Sequence, residues 1–285
     1  MNIEQAKTAL DKQFVCAINA KYIGSYRTHP LRVIQALKSI IGIDIQNPDE
    51  KLINWGKDYL EEFNSRDKSE LMFQFGDLQE TITLDSIECA LRKGDRPLSM
   101  SHLEQLSRVS DGRPLLEFLL ELSLQQNGSS FTFTWSAIRA NQFLSNEHIT
   151  ALLILSVEAV LDDDFMEVGN KMFTNNSVSS FENLCQSMQI KSEDLIRKRM
   201  ISPLLPDFDI ILNLDNSSVD DVLNTDGMAR KRILKYVSNQ FEDDITPELI
   251  LLLDCIRTAL KATSKELHPN IINTGNHYLG AHINA

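Results

Sequence analysis

Apolar residues recur along this chain at intervals of three and four, the period of helices that turn one face to a core. Between Asp49 and Phe63 they fall at Leu52, Trp55, Tyr59 and Phe63, a single stripe that predicts a core-packing helix. The same period predicts helices near residues 3–20, 30–41, 80–93, 113–126, 135–143, 146–161, 178–189, 192–200, 218–224 and 228–241. Some starts carry their own signals. Ser101 and Glu104 have capping-box spacing ahead of Leu103 and Leu106. Thr246-Pro247-Glu248 supplies a cap, a first-turn proline and an early acid before the apolar run from Leu249. His29-Pro30 and His268-Pro269 open helices in the same way, each placing an imidazole at or beside the N-cap.

Strand signals are sparse. Ser130-Phe131-Thr132-Phe133-Thr134-Trp135 alternates with a period of two and predicts a short extended piece near 130–135, with no second strand to pair with. The fold class is therefore all-α, an irregular multi-helical array. Gly94 to Ser99, with Pro97, reads as a turn. Ser202-Pro203-Leu204-Leu205-Pro206-Asp207 reads as a connector between a main helical body, 1–201, and a C-terminal helical portion, 207–285, the alternative being one domain throughout. No repeat with a period of 20 to 50 residues supports a regular solenoid.

Composition narrows the partners. The 285 residues carry a formal net charge of -12, which argues against a nucleic-acid backbone or an anionic membrane surface. The basic clusters Arg197-Lys198-Arg199 and Arg230-Lys231-Arg232 are short and fit solvated helix faces. Apolar runs such as Ile149 to Val157 stop well short of the roughly 20 residues that span a bilayer, and Met1-Asn2-Ile3-Glu4 lacks a basic segment before an apolar one. Cys16, Cys89, Cys185 and Cys255 are far apart and form no C-x-x-C pair, the pattern of buried thiols in a reducing compartment. The expectation is a soluble, cytoplasmic protein.

The histidines carry the most direct hint of chemistry. The positive end of a helix disfavours a second positive charge, so His29 and His268 are biased toward the neutral form that can ligate a metal or act as a base. In a helix from Pro269, His268 and His282 share a face about 20 Å apart, too far for one metal, and His277 points away. Any metal site would thus need histidines from different segments, such as His29 with His268. A di-iron bundle is disfavoured because Glu117, Glu121, Glu147 and Glu158 come without a Glu-x-x-His. Dinucleotide, Walker, hydrolase and zincin motifs are all missing. Asp162-Asp163-Asp164 reads as a solvated turn or an N-cap cluster for the next helix.

The run from Tyr22 to Leu37 joins a tyrosine, a small-residue turn, His29, a short apolar stretch and an Ala36-Leu37 ending, with Gly42 beyond. It resembles the N-terminal signature of the questin oxidase-like family. Tyr59 falls where that family carries a tyrosine on its second helix, and Phe75-Gly76-Asp77 is similar to a later Leu-Gly element. Ile138-Arg139 resembles a pair that follows a histidine in the family, where Trp135 stands here; Phe173 to Val178 offers Asn175 where the family has a histidine and a threonine. His268 to Thr274 resembles the family's final His-x-Ile-x-x-Thr stretch. The resemblance implies a helical oxidoreductase; the family's namesake performs an NADPH-dependent, Baeyer–Villiger-type oxygenation of an aromatic polyketide ring. It implies His29 and His268 as catalytic residues, with Tyr22, Trp135, Asn175 and Arg139 around a small hydrophobic or aromatic substrate. The alternative expectation is a non-catalytic ligand-binding or protein-interaction module acting beside an enzyme of secondary metabolism.

Overall fold

The structure, a computed structural model, describes residues 1–73, 81–123, 125–127, 129–165, 245–262 and 272. It is all-α. The helices are α1 (Ile3–Asn19), α2 (Pro30–Ile41), α3 (Glu50–Glu61), α4 (Leu84–Arg92), α5 (Arg96–Ser107), α6 (Arg113–Ser123), α7 (Ser130–Phe143), α8 (Ile149–Asp162) and α9 (Pro247–Ala262). Short 3-10 turns cover Tyr26–Thr28, Gly42–Asp44 and Lys68–Leu71. Two-residue strands, β1 (Gln126–Asn127) and β2 (Asp164–Phe165), pair antiparallel.

Contacts divide the chain into two units. One comprises Met1–Lys7, Ala36–Gly56 and Phe173–Ala285, the other Thr8–Gln35 with Lys57–Met172. In the first, Thr246 caps α9 as its sequence predicts, its hydroxyl accepting the Leu249 N–H at 3.2 Å. Leu249, Ile250, Leu253 and Ile256 recur at helical spacing and are buried. The Trp55 indole N–H donates to the Ile245 carbonyl at 3.0 Å, giving an amphipathic ring its polar partner. The boundary expected at 202–207 lies outside the described residues.

In the second unit α4, α5, α6 and α8 share a core of Ile87, Leu91, Leu103, Leu116, Leu119 and Val157, among others. Helix α7 joins it against α6 and α8. Gly112, at φ +83°, makes the turn into α6, and a Cβ there would come within 2.5 Å of the Ile149 side chain.

Three local expectations are corrected. The alternating stretch 130–135 is not extended: it is the first part of α7, with Phe131, Phe133 and Trp135 all buried. Its alternation reflects a helix buried on most sides, where a period of two among Ser, Thr and aromatics carries no strand information. Helix α5 starts at Arg96 rather than near Ser101, because the Asp95 carboxylate accepts the Leu98 N–H at 3.0 Å, and the Gly94–Ser99 turn is thereby mostly first helical turn. Pro97 fits there because the first turn needs no N–H from it. Finally, the thiols are not all buried: Cys16 and Cys89 are exposed, whereas Cys255 is buried. At the end of α8, Asp163 Oδ2 accepts the Ser130 N–H at 2.6 Å, at the start of α7, and Asp162 and Asp164 are exposed.

Candidate functional site

The site grows from the segment between α1 and α2. An isolated antiparallel bridge joins Ala20 to Ser65, flanked by Lys21 N–H to the Asn64 carbonyl and Arg66 N–H to the Asn19 carbonyl, both 2.7 Å. This clamp places Arg66 beside the entry to α2. Its Nε donates to the Ala20 carbonyl at 3.1 Å and its Nη1 to Glu158 Oε2 at 3.2 Å.

Ser25 then turns the chain. Its hydroxyl accepts the Arg27 N–H at 3.2 Å and starts the tight turn Tyr26–Thr28, which delivers His29 to the N-terminus of α2. The His29 carbonyl accepts from Arg32 and Val33, while its Nδ1 accepts the Leu31 N–H at 3.1 Å. The imidazole performs the task usually given to a Ser, Thr or Asp side chain at this position. An accepting Nδ1 carries no proton, so the geometry assigns the Nε2–H tautomer.

Aromatic rings enclose that imidazole. Tyr26 stacks on it with planes 2° apart and centroids 5.6 Å apart; Phe133 and Tyr22 meet it edge-on at 5.0 and 5.4 Å. The Tyr22 hydroxyl is bonded to the Thr28 hydroxyl at 2.7 Å. His29 is only 1% exposed, and its Nε2 has no hydrogen-bond partner among the described residues. Burial first, and then the Arg66 charge, lower its pKa from 6.5 to about 3. It is neutral at physiological pH and its Nε2–H is an unpartnered donor among the described residues; with Nδ1 committed to the helix, it is suited to polarise an oxygen and unsuited to remove a proton.

Tyr26 links this cradle to a carboxylate. Its hydroxyl donates to Glu158 Oε2 at 3.3 Å, and burial followed by the Glu158 charge holds the phenol well above its ordinary range. Glu158 Oε1 faces the other way, 2.5 Å from Arg96 Nη2. Arg96 and Glu158 line a cavity of about 440 Å³. Helical spacing explains its walls: Arg96, Met100 and Glu104 lie four apart on α5, Ile154 and Glu158 four apart on α8. Met72 and Phe73, just past the Lys68–Leu71 turn, add apolar surface, and Ser69 and Ser101 add hydroxyls.

Of the residues expected at a site, Tyr22 and His29 meet, as just described. Trp135 and Arg139 lie one turn apart on α7, whereas Phe133, two residues before Trp135 and so about 200° around the helix, faces the imidazole. Tyr22, His29, Trp135 and Arg139 are not among the residues lining the Arg96–Glu158 cavity. His268 and Asn175 lie outside the described residues, so the pairing of His29 with His268, for catalysis or for a metal, has no geometry. Among the described residues no three His, Cys, Asp or Glu side chains converge as metal ligands, and no helix is long and apolar enough to cross a membrane.

Sequence reasoning missed the centre of this arrangement. In the sequence Glu158 stands out only as one of the carboxylates a di-iron bundle would use, and Arg66, Arg96, Tyr26 and Phe133 carry no pattern that joins them. Tyr26 did lie three residues before His29, a spacing that could have suggested a ring stacked over the cap. No protein-family model, curated protein or solved structure matches this chain.

Proposed function

We propose that this protein binds a small aromatic or carbonyl-bearing molecule in the cavity between α5, α8 and the residues after the Lys68–Leu71 turn. The observation that carries the reading is Glu158, whose two oxygens serve different surroundings. Oε2 is held by Arg66 and Tyr26, which orients Oε1 toward Arg96 at the cavity. Met72, Phe73, Met100 and Ile154 offer a polarisable apolar bed for a planar ring. A volume of about 440 Å³ is within the usual range for small-molecule sites.

Calorimetric titration of the full chain with an aromatic ketone such as 2-acetonaphthone tests this. Binding that disappears when Met100→Trp fills the cavity supports it; heat that persists unchanged in that variant, or no binding of aromatic ketones, sinks it.

A second reading, oxygenation of such a molecule in the manner of the questin oxidase-like family, is favoured by one observation. The block that carries the resemblance folds around a neutral, buried His29 whose Nε2–H is free to donate. In that reading His29 polarises a carbonyl oxygen, NADPH supplies the reducing equivalents, and Tyr22 packs beside the imidazole. The measurement is oxygen and NADPH consumption with candidate ketones present, compared between the wild type and His29→Phe. Equal rates in the two would remove His29 from the chemistry.

A further inference from the structure

Two guanidinium groups share one carboxylate at the cavity wall, and they are not equivalent. Arg66 is mostly covered, its side chain 12% exposed, and is tied to both the Ala20 carbonyl and Glu158. The Arg96 side chain is 59% exposed and, among the described residues, bonds to Glu158 alone. A guanidinium has five donors in a fork that fits a carboxylate with two parallel bonds. Arg96 therefore has donors to spare at the cavity, and the Arg66–Glu158–Arg96 cluster carries one positive charge in excess.

The other carboxylates lining the cavity are Glu70 and Glu104. Glu104 is neutralised by Arg108, which donates to it through Nε at 2.6 Å and also through Nη2. Glu70 is exposed and accepts the Asp67 N–H at 3.3 Å in a capping box; its charge offsets the excess in the formal sum, so it is the geometry of the Arg96 fork, and not net charge, that favours a carboxylate ligand. That fork stands beside Met72, Phe73 and Met100.

We propose that Arg96 is the specificity-determining residue of this cavity and selects amphipathic carboxylates: an aromatic or other apolar body on the Met–Phe bed with its carboxylate on the Arg96 fork. Glu158, held from behind by Arg66 and Tyr26, keeps Arg96 at the wall before a ligand arrives. This rests on the cavity being a ligand site, as proposed above.

The experiment compares three probes of nearly the same shape, 2-naphthoate, 2-naphthamide and 2-naphthylmethylammonium, by calorimetry on the full chain. The wild type should bind the carboxylate about tenfold or more tighter than the amide, the scale of a hydrogen bond between charged groups. Arg96→Gln should bring the two to within about twofold, and Arg96→Lys, which keeps the charge but loses the fork, should fall between. Circular dichroism of both variants confirms that the fold is retained. A naphthoate preference that survives in Arg96→Gln, or an ammonium probe that binds tightest, overturns the assignment while leaving the cavity as a ligand site. If none of the three binds to the wild type, the cavity reading falls and the assignment falls with it.

Discussion

The two sides of Glu158 are built from opposite materials. On the Oε2 side stand a phenol, an imidazole and the rings of Tyr22 and Phe133, with backbone and side-chain bonds fixing each in place. On the Oε1 side stand an exposed arginine, two methionines and open volume. Burial makes the first side rigid and sensitive, because a filled apolar site resents both cavities and charges. Exposure makes the second side adaptable, because water can replace whatever leaves. In the ligand-binding reading proposed above, the rigid back orients one carboxylate and the front exchanges partners.

Substitutions should separate the sides by the size of their effects. Phe133→Ala removes a fully buried ring that touches both His29 and Tyr26, and urea denaturation should show a loss of about 3–5 kcal/mol. A loss below about 1 kcal/mol would mean that the cradle is not tightly packed.

The next effect is one of pH. His29 has a folded pKa near 3 against 6.5 when unfolded, so between those values the unfolded chain binds a proton that the native one refuses. Stability from this group is undiminished above pH 6.5 and falls by about 1.4 kcal/mol per unit as pH drops toward 3. His29→Asn keeps an acceptor for the Leu31 N–H but cannot titrate. Its stability relative to wild type should therefore improve by about 2–3 kcal/mol between pH 6.5 and 4.5, measured by denaturant midpoints. Parallel pH profiles for the two proteins would contradict the buried neutral imidazole.

Tyr26→Phe tests the seam between the sides. It deletes one bond to a carboxylate that still has two arginine partners, and should cost about 1–2 kcal/mol in a thermal or urea melt. The smallest effect belongs to Arg96→Gln. With that side chain 59% exposed, the change in stability should stay within about 0.5 kcal/mol, even though ligand preference changes. A large loss of stability in Arg96→Gln would place the arginine with the rigid side and erase the contrast.

Much of the helical layout is legible in the residues. The Thr246-Pro247 start and the Leu52–Tyr59 stripe both appear as their local chemistry predicts. His29 at the head of α2 was equally legible, since Pro30 allows little else. The two misread helix starts have different causes. At 95–101 two cap signals compete, and the aspartate ahead of Pro97 wins because it satisfies N–H groups at the true first turn. At 130–135 burial on most sides hides the helical period, and the cap comes from Asp163, thirty-three residues away along the chain.

Sequence alone determined that the chain is all-α, that it is acidic, and that His29 sits at a helix start, since these follow from composition, periodicity and local cap chemistry; that the charged form of His29 is disfavoured follows from its burial and from Arg66, which the fold brings to it. Only the tertiary structure decided which rings surround that histidine, that Tyr26 passes its hydrogen bond to Glu158, and that Arg66 and Arg96 divide the carboxylate between a closed back and an open cavity. Those contacts join residues 62 to 132 positions apart, and no local preference encodes them. They follow from how the helices pack, which is where burial turns a cap, a phenol and an acid into one site.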